Sequence, residues 1–213
     1  MKRIATALLI AFAAALPAQA NGDAARGESK AAMCIGCHGI KGYQASFPEV
    51  HRVPMISGQN AGYIVAALQA YAKGERKHPT MKGIAASLTE QDMADLAAYY
   101  AGHAGAKAPE QVAEAPAAVK ALLDKGVCIS CHGANFSKAI SDAYPKIAGQ
   151  HADYLYVALK SYHAEARLGT VGRGNAIMQG QIKGMSNADL KLLAKYLGSL
   201  PGELVTVPQS RFR

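Results

Sequence analysis

The sequence has few cysteines, no tryptophan and, beyond its N-terminus, no long apolar run. Its 213 residues include four Cys and no Trp. Four cysteines are too few for a disulfide-rich scaffold of this length, and no later apolar segment reaches the roughly 18 residues that span a bilayer. Charged residues are 18% and apolar residues 50% of the chain, which excludes a disordered polymer. Sparse β-branched residues beside abundant Ala favour helices over sheets.

The N-terminus has the pattern of a secretory signal peptide. Lys2 and Arg3 precede an apolar stretch, and residues 18–20 (AQA) form a small-residue cleavage motif. Residues 1–20 are therefore predicted to be a cleaved signal peptide, and the mature chain is predicted to begin at Asn21. An uncleaved membrane anchor is the alternative. Export predicts the periplasm, an oxidising compartment in which all four cysteines need an explanation.

Positive charge is concentrated in the second half of the predicted mature chain. Residues 21–102 contain 8 Lys and Arg against 7 Asp and Glu, whereas residues 115–213 contain 12 against 6. This asymmetry favours docking of the second half on an acidic protein face. We expect no nucleic-acid partner, because an exported protein does not normally meet nucleic acid and no run of five Lys or Arg occurs.

The mature chain repeats itself. Residues 34–39 (CIGCHG) recur as residues 128–133 (CISCHG), and residues 54–59 (PMISGQ) recur as residues 145–150 (PKIAGQ). Further pairs follow in the same order: Tyr63 with Tyr154, Tyr71 with Tyr162, Arg76 with Arg167, Met81 with Met178, and the Leu-Ala-x-Tyr run at 96–99 with that at 193–196. Conserved order of landmarks along one chain is typical of tandem domains.

The repeat predicts the domain organisation. The two domains are predicted at residues 21–102 and 116–201. An Ala-, Glu- and Pro-rich linker joins them at residues 103–115, a composition typical of linkers. A tail at residues 202–213 follows, and the sequence assigns it no function.

Each copy has the patterns of helices. Asp23 and Pro116 are suited to the start of the first helix of each domain. An aspartate three residues after Thr89 and after Ser186 predicts a capping box at the start of each last helix. Helical apolar stripes support these assignments, and they comprise Ile64, Ala67, Leu68 and Tyr71; Met93, Leu96 and Tyr100; Val119, Leu122 and Leu123; and Leu190, Leu193 and Leu197.

The motif Cys-x-x-Cys-His occurs once in each copy. A thioredoxin-like site needs a βαβ context, which is missing, and a zinc ribbon needs two Cys pairs about 15–20 residues apart. The motif is the signature of covalent haem attachment, because cysteines three apart on a helix can reach the two vinyl groups of a porphyrin. Two chance disulfides are the alternative. The predicted haem residues are Cys34, Cys37, Cys128 and Cys131 for attachment, with His38 and His132 as axial iron ligands.

Met81 and Met178 are the candidates for the opposite axial position. They are matched between the copies, and each is followed by a glycine and then by a capped helix, which predicts a loop. A methionine ligand raises the reduction potential of haem iron. His78 and His163 are the rivals, but neither has a partner in the other copy.

Two glycine-containing stretches, residues 39–62 and residues 133–150, show no convincing strand alternation and are predicted to be packed loops. Pro54 and Pro145 lie within them. A carbonyl at either position can accept the Nδ1–H of the proximal histidine and orient its ring. A simple loop kink is the alternative for each proline.

In these motifs the chain resembles the dihaem class I cytochromes c of the cytochrome c4 group, over residues 21–200. The resemblance implies an all-α fold of two tandem class I cytochrome c domains, each a small helical fold around one covalent haem c. It implies His/Met coordination of both irons, with the carbonyls of Pro54 and Pro145 orienting the histidines. It also implies periplasmic electron transfer to a terminal oxidase. A longer stretch at residues 164–176 and the tail depart from the family pattern.

Iron with both axial positions filled by protein does not easily bind a substrate, so we expect an electron carrier and not an enzyme. The carrier, diffusing freely or loosely associated with a membrane, would link a respiratory donor such as a quinol-oxidising cytochrome bc complex to a terminal acceptor. The alternative is a dihaem cytochrome subunit of a periplasmic dehydrogenase for sulfide, alcohol or a similar substrate. A third alternative is a dihaem peroxidase, which would need an open or displaceable iron ligand.

Overall fold

The computed structural model describes residues 21–163 and 171–208. The predicted signal peptide, Arg167 and residues 209–213 lie outside these ranges. The helices of the first domain are α1 (Ala24–Lys30), α2 (Ala32–His38), α3 (Ala61–Lys73), α4 (Pro79–Ala86) and α5 (Glu90–Ala101). Those of the second are α6 (Ala117–Lys125), α7 (Ile129–His132), α8 (Ala152–Lys160), α9 (Ala176–Gln181) and α10 (Asn187–Ser199).

Helices dominate, as predicted, but short strands also occur. In the first domain β1 (Gln44–Ala45) pairs with β2 (His51–Arg52), and β3 (Arg76–Lys77) pairs with β4 (Gly172–Arg173) across the domain boundary. Both pairs are antiparallel. The expectation that residues 39–62 form only loop is therefore wrong, because a two-residue strand is too short to show a period of two.

The predicted helix starts are confirmed. The Asp23 carboxylate accepts hydrogen bonds from the first backbone N–H groups of α1, and Pro116 immediately precedes α6. Thr89 and Ser186 each form a complete capping box with the aspartate three residues later. These contacts satisfy backbone donors that a helix start leaves without partners.

Each last helix supplies the centre of its domain. Helix α5 packs against α1 and α3, and α10 packs against α8 and α6. The predicted apolar faces of α5 and α10 are buried, with Leu96 and Leu190 almost inaccessible to solvent. The predicted stripe of α3 behaves differently, since Ile64 is buried but Ala67, Leu68 and Tyr71 remain half-buried and line a cavity. Within the described ranges, no helix is long and apolar enough to cross a membrane.

The two domains meet through reciprocal hydrogen bonds. The Gln59 side chain accepts from the backbone N–H of Lys146 at 2.8 Å and donates to the Lys146 carbonyl at 3.0 Å. Its repeat mate Gln150 makes the same pair of bonds to Met55, at 3.0 and 2.8 Å. Both glutamines are buried. An unpaired amide in that position is costly, so the interface favours one relative placement of the domains.

An ion pair between a half-exposed arginine and a buried carboxylate ties the first helix of domain one to its last. The Asp95 carboxylate is inaccessible and accepts hydrogen bonds from Arg26 Nε at 2.9 Å and Arg26 Nη2 at 3.0 Å. It also accepts from the Asp23 backbone N–H and the Gln91 amide. The Arg26 hydrogen bonds, followed by that of Asp23, hold the pKa of Asp95 well below its usual range.

This carboxylate predicts a pH dependence. A lowered folded-state pKa contributes stability above the unfolded value of roughly 3.9, and that contribution disappears as pH falls through the folded pKa. We therefore expect Asp95→Asn to destabilise the first domain at about pH 7 and to flatten the fall in its stability in acid. Denaturant unfolding at a series of pH values measures both effects.

The matched control is Asp124→Asn. Asp124 is exposed and pairs with Lys120 on the surface of α6, where such pairs contribute little. Equal losses of stability in the two variants would contradict this role of Asp95. So would a fall in stability in acid that is as steep in Asp95→Asn as in the wild type.

Candidate haem-binding sites

The predicted site residues of both copies line one cavity of about 690 Å³. From the first domain these residues are Cys34, Cys37, His38, Pro54 and Met81. From the second they are Cys128, Cys131, His132, Pro145 and Met178. The cavity walls are otherwise largely apolar and aromatic, as suits a flat hydrophobic cofactor with a few polar anchors.

Short helical turns bring each cysteine pair and its histidine together. Helix α2 carries Cys34 and Cys37, and α7 with the residue before it carries Cys128 and Cys131. All four are free thiols, so the two-disulfide alternative is not realised. Burial raises the pKa of Cys34 and raises that of Cys128 to about 11. The Cys34 and Cys128 thiols are therefore protonated near neutrality, unlike the thiolates of reactive cysteine sites.

Both histidines are held by a proline carbonyl. His38 Nδ1 donates to the Pro54 oxygen at 2.8 Å, and His132 Nδ1 donates to the Pro145 oxygen at 2.9 Å. Donation from Nδ1 leaves Nε2 as the ring nitrogen with a free lone pair. Burial lowers the pKa of both rings, which favours the neutral imidazole that binds metals.

The two methionines lie in helices, not in the predicted loops. Met81 is in the first turn of α4 and Met178 is in the first turn of α9. The backbone N–H of Met81 donates to His78 Nδ1 at 3.3 Å, and that of Met178 donates to Asn175 Oδ1 at 2.9 Å. The glycine that suggested a loop follows the capped turn in each case.

The rival histidines have other roles or positions. His78 caps α4, the position that Asn175 occupies in the second domain. His163 does not line the cavity.

Two arginines line the same cavity and face each other across the domain boundary. Arg76 and Arg173 are opposite residues in the β3–β4 pair. Arg76 bonds the Tyr63 hydroxyl at 2.6 Å and stacks over the rings of Tyr63 and Tyr71. Arg173 has the matching contacts with Tyr154, at 3.1 Å, and Tyr162.

These contacts correct one pairing of the repeat. Arg173, not Arg167, occupies the place that Arg76 has in the first domain, because the extra residues of the second copy precede β4. The offset is then the same as that between Met81 and Met178. Sequence alignment missed it because an arginine also stands at the ungapped position.

The arginine cluster has the electrostatics of an anion site. In residues 21–163 and 171–208, neither guanidinium forms an ion pair with Asp or Glu. Burial raises the pKa of Tyr162, but Arg173 and Arg76 outweigh it and lower that pKa to about 8. Buried charge needs a partner, and guanidinium groups suit carboxylates. A porphyrin with two carboxylate side chains per domain fits this donor set.

Comparison with known proteins identifies the family. The sequence model of the cytochrome c family matches residues 24–102 and again residues 116–201. Cytochrome c4 of Pseudomonas aeruginosa is 30% identical over 94% of this chain and all of the relative. The thiosulfate dehydrogenase electron acceptor of Thiomonas intermedia is 28% identical, over 94% of this chain and 92% of the relative.

A solved structure supports the same family assignment. The crystal structure of reduced recombinant cytochrome c4 from Pseudomonas stutzeri superposes with a TM-score of 0.61 and 27% identity, covering 84% of this chain and 100% of that one. The predicted all-α tandem fold and the two covalent haems are confirmed by this family membership. The chain therefore belongs to the cytochrome c family, as a dihaem cytochrome c4-like protein with one covalently bound haem c in each of two tandem domains.

Proposed function

We propose that this dihaem electron carrier passes single electrons from a respiratory donor, such as a quinol-oxidising cytochrome bc complex, to a terminal acceptor such as an oxidase. The observation that supports it best is the meeting of both predicted ligand sets on one cavity shared by the two domains. Two haem groups held in one cavity can exchange electrons inside the protein. A donor can therefore dock on one domain and an acceptor on the other.

The proposed ligands divide the work in each domain. When bound, each haem c supplies one-electron redox chemistry. Cys34 and Cys37, and likewise Cys128 and Cys131, would hold it covalently. His38 with Met81, and His132 with Met178, would ligate the irons and so keep substrates away from them. The carbonyls of Pro54 and Pro145 set the orientation of the histidines.

In this proposal the two arginines bind the haem carboxylates. Arg76 and Arg173 would hold the haem carboxylates in the cavity through charge-assisted hydrogen bonds. Their tyrosine partners fix each guanidinium by hydrogen bonding and ring stacking, which holds the charged groups in place.

The periplasm is the proposed location. The signal-peptide pattern of residues 1–20 supports export. Two thioether-linked haems also use all four cysteines, which leaves no free thiol in an oxidising compartment.

A second candidate is a cytochrome subunit or electron acceptor of a periplasmic dehydrogenase. The similarity to the thiosulfate dehydrogenase electron acceptor of Thiomonas intermedia favours it. Gel filtration of native extract separates the two: a stable complex that contains a dehydrogenase supports the second candidate, and elution as a free cytochrome supports the first.

The haem attachment predicts a mass. The purified mature protein should weigh two haem groups more than the chain from Asn21 onward. Cys128→Ser with Cys131→Ser should remove one haem and leave the first domain with the other, as intact-mass spectrometry will show. A wild-type protein with the mass of its amino acids alone would refute the proposal.

The axial ligands predict two spectroscopic losses. Met81→Ala and Met178→Ala should each remove part of the near-infrared sulfur-to-iron band of the oxidised protein and open one iron to carbon monoxide. The control is Met33→Leu, which changes a half-exposed methionine next to Cys34 and should alter neither signal. Carbon monoxide binding by the resting wild-type protein would contradict full axial coordination.

The uneven charge predicts a salt effect. Haem carboxylates offset about 4 of the 6 excess positive charges of the mature chain, so the second domain stays the more basic one. We expect reduction by a small anionic complex to slow as ionic strength rises, because salt screens the attraction. A rate that does not change with salt would remove charge-guided docking from the proposal.

A further inference from the structure

The C-terminal tail, to which the sequence assigns no role, crosses from the second domain back to the first. Its N-terminal part packs tightly where Gly202 meets the Ala148 backbone. Farther along, the backbone N–H of Val205 donates to the Ser57 carbonyl at 3.1 Å, and the two residues form an isolated β-bridge. Leu204, between these contacts, is buried. We call residues 202–207 the strap.

The strap is the counterpart of the linker in the internal repeat. Gly105 and Gly202 follow the last helix of their domains at the same offset as Met81 and Met178. The linker passes over Gly58, and the strap begins over Gly149. Each chain segment then runs to the other domain. The two domains therefore have two connections: the covalent linker and the contact made by the strap.

The glycines beneath these segments are needed for the close approach. Gly58 has a φ of +83°, and a Cβ there would lie 2.6 Å from the Glu203 carbonyl oxygen and 2.9 Å from Ala104 Cα. Gly149 has a φ of +73°, and its Cβ would lie 3.2 Å from the Leu200 carbonyl oxygen. Both glycines belong to the repeated Gly-Gln pairs whose glutamines bond the domains together.

Glu203 joins the strap to the linker and to the second haem site. Its backbone carbonyl accepts from Gly105 N–H at 2.8 Å, and its Oε1 accepts from Ala108 N–H at 3.3 Å. Its Oε2 accepts from Lys146 Nζ at 2.6 Å. Both side chains of this ion pair are largely buried, with 20% of Glu203 and 15% of Lys146 exposed, so it is less screened than a surface pair.

Lys146 connects this contact to both domains. Its backbone forms the two hydrogen bonds with Gln59 of the first domain. The residue before it is Pro145, whose carbonyl accepts from His132. A change in the position of Lys146 therefore alters the domain contact and the support of the proposed iron ligand together.

We propose that Glu203 is a positioning residue for electron exchange between the two haems, acting by closing the strap on the linker and on Lys146. Without it, the domains keep their own folds, but the glutamine hydrogen bonds alone hold their relative placement less firmly. This inference rests on the proposed function for its haem-to-haem step, whereas the strap contacts are independent of which groups ligate the irons.

The test uses the holoprotein with four variants: Glu203→Ala, Lys146→Glu, the double charge reversal Glu203→Lys with Lys146→Glu, and a chain ending at Gly202. Three quantities are measured in each. They are tryptic cleavage after Lys107, the radius of gyration from small-angle scattering, and the rate of electron exchange between the haems after partial reduction by a flash. Lys107 is suited to the cleavage assay because it lies between Gly105 and Ala108, the two linker residues that donate hydrogen bonds to Glu203.

We expect Glu203→Ala and the shortened chain to raise cleavage after Lys107 about tenfold, the change that a loss of about 1.4 kcal/mol from the closed form produces. The radius of gyration should increase and haem-to-haem exchange should slow. The sulfur-to-iron band should stay as in the wild type, because neither iron site loses a ligand. The double charge reversal should recover most of the loss seen in Lys146→Glu.

Glu110→Ala is the matched control. Glu110 lies in the linker beside the same polar surface, but it is exposed and its contacts with Lys107 and Lys138 are longer, at 3.5 and 3.8 Å. Its replacement should change neither the radius of gyration nor the rate of electron exchange between the haems. Wild-type cleavage, scattering and exchange in both Glu203→Ala and the shortened chain would overturn the proposal. Absence of the sulfur-to-iron band from the wild type would instead count against the proposed ligands and leave the strap unaffected.

Discussion

Reciprocal hydrogen bonds from Gln59 to Lys146 and from Gln150 to Met55 relate the two haem sites to each other. Each glutamine bonds the residue that directly follows the proline of the other domain. That proline carbonyl in turn accepts from the proximal histidine. The proline that orients each histidine is therefore adjacent to a residue that bonds the other domain. One hydrogen-bonded network positions the two sites.

The same region is packed too closely for side chains. The linker and the strap pass over the backbone of Gly58 and Gly149, where a Cβ would collide at Gly58 and make a tight contact at Gly149. The Gly-Gln pair thus has two separate functions. The glycine allows a connecting segment to approach, and the glutamine bonds the opposite domain. Tandem duplication explains why both functions occur twice, and it explains why the strap has the linker as its counterpart.

The domains are similar in plan but differ in their electrostatic surroundings. The first domain contains the buried Asp95 carboxylate and its ion pair with Arg26. The corresponding position in the second domain is the exposed Leu192. Helix α4 is capped by a histidine and α9 by an asparagine. Most of the excess positive charge belongs to the second domain. Haem potentials respond to nearby charge and hydrogen bonding, so the two sites are not equivalent.

The sequence by itself determined the two-domain organisation, the helix starts and the cysteine and histidine motifs. These signals are local: a capping box or a Cys-x-x-Cys-His motif acts within one turn of helix. Local signals did not reveal that Met81 and Met178 lie in the first turns of helices, since the following glycines are also compatible with loops.

Tertiary structure alone decided which distant groups meet. It paired Arg76 with Arg173 through the antiparallel strands β3 and β4. Similarity along the chain could not show this pairing, because the second copy has extra residues before β4. Tertiary structure also placed Glu203 against Lys146 and the linker. Such contacts join residues far apart in sequence, and their free energy depends on burial and geometry that no single segment of the chain encodes.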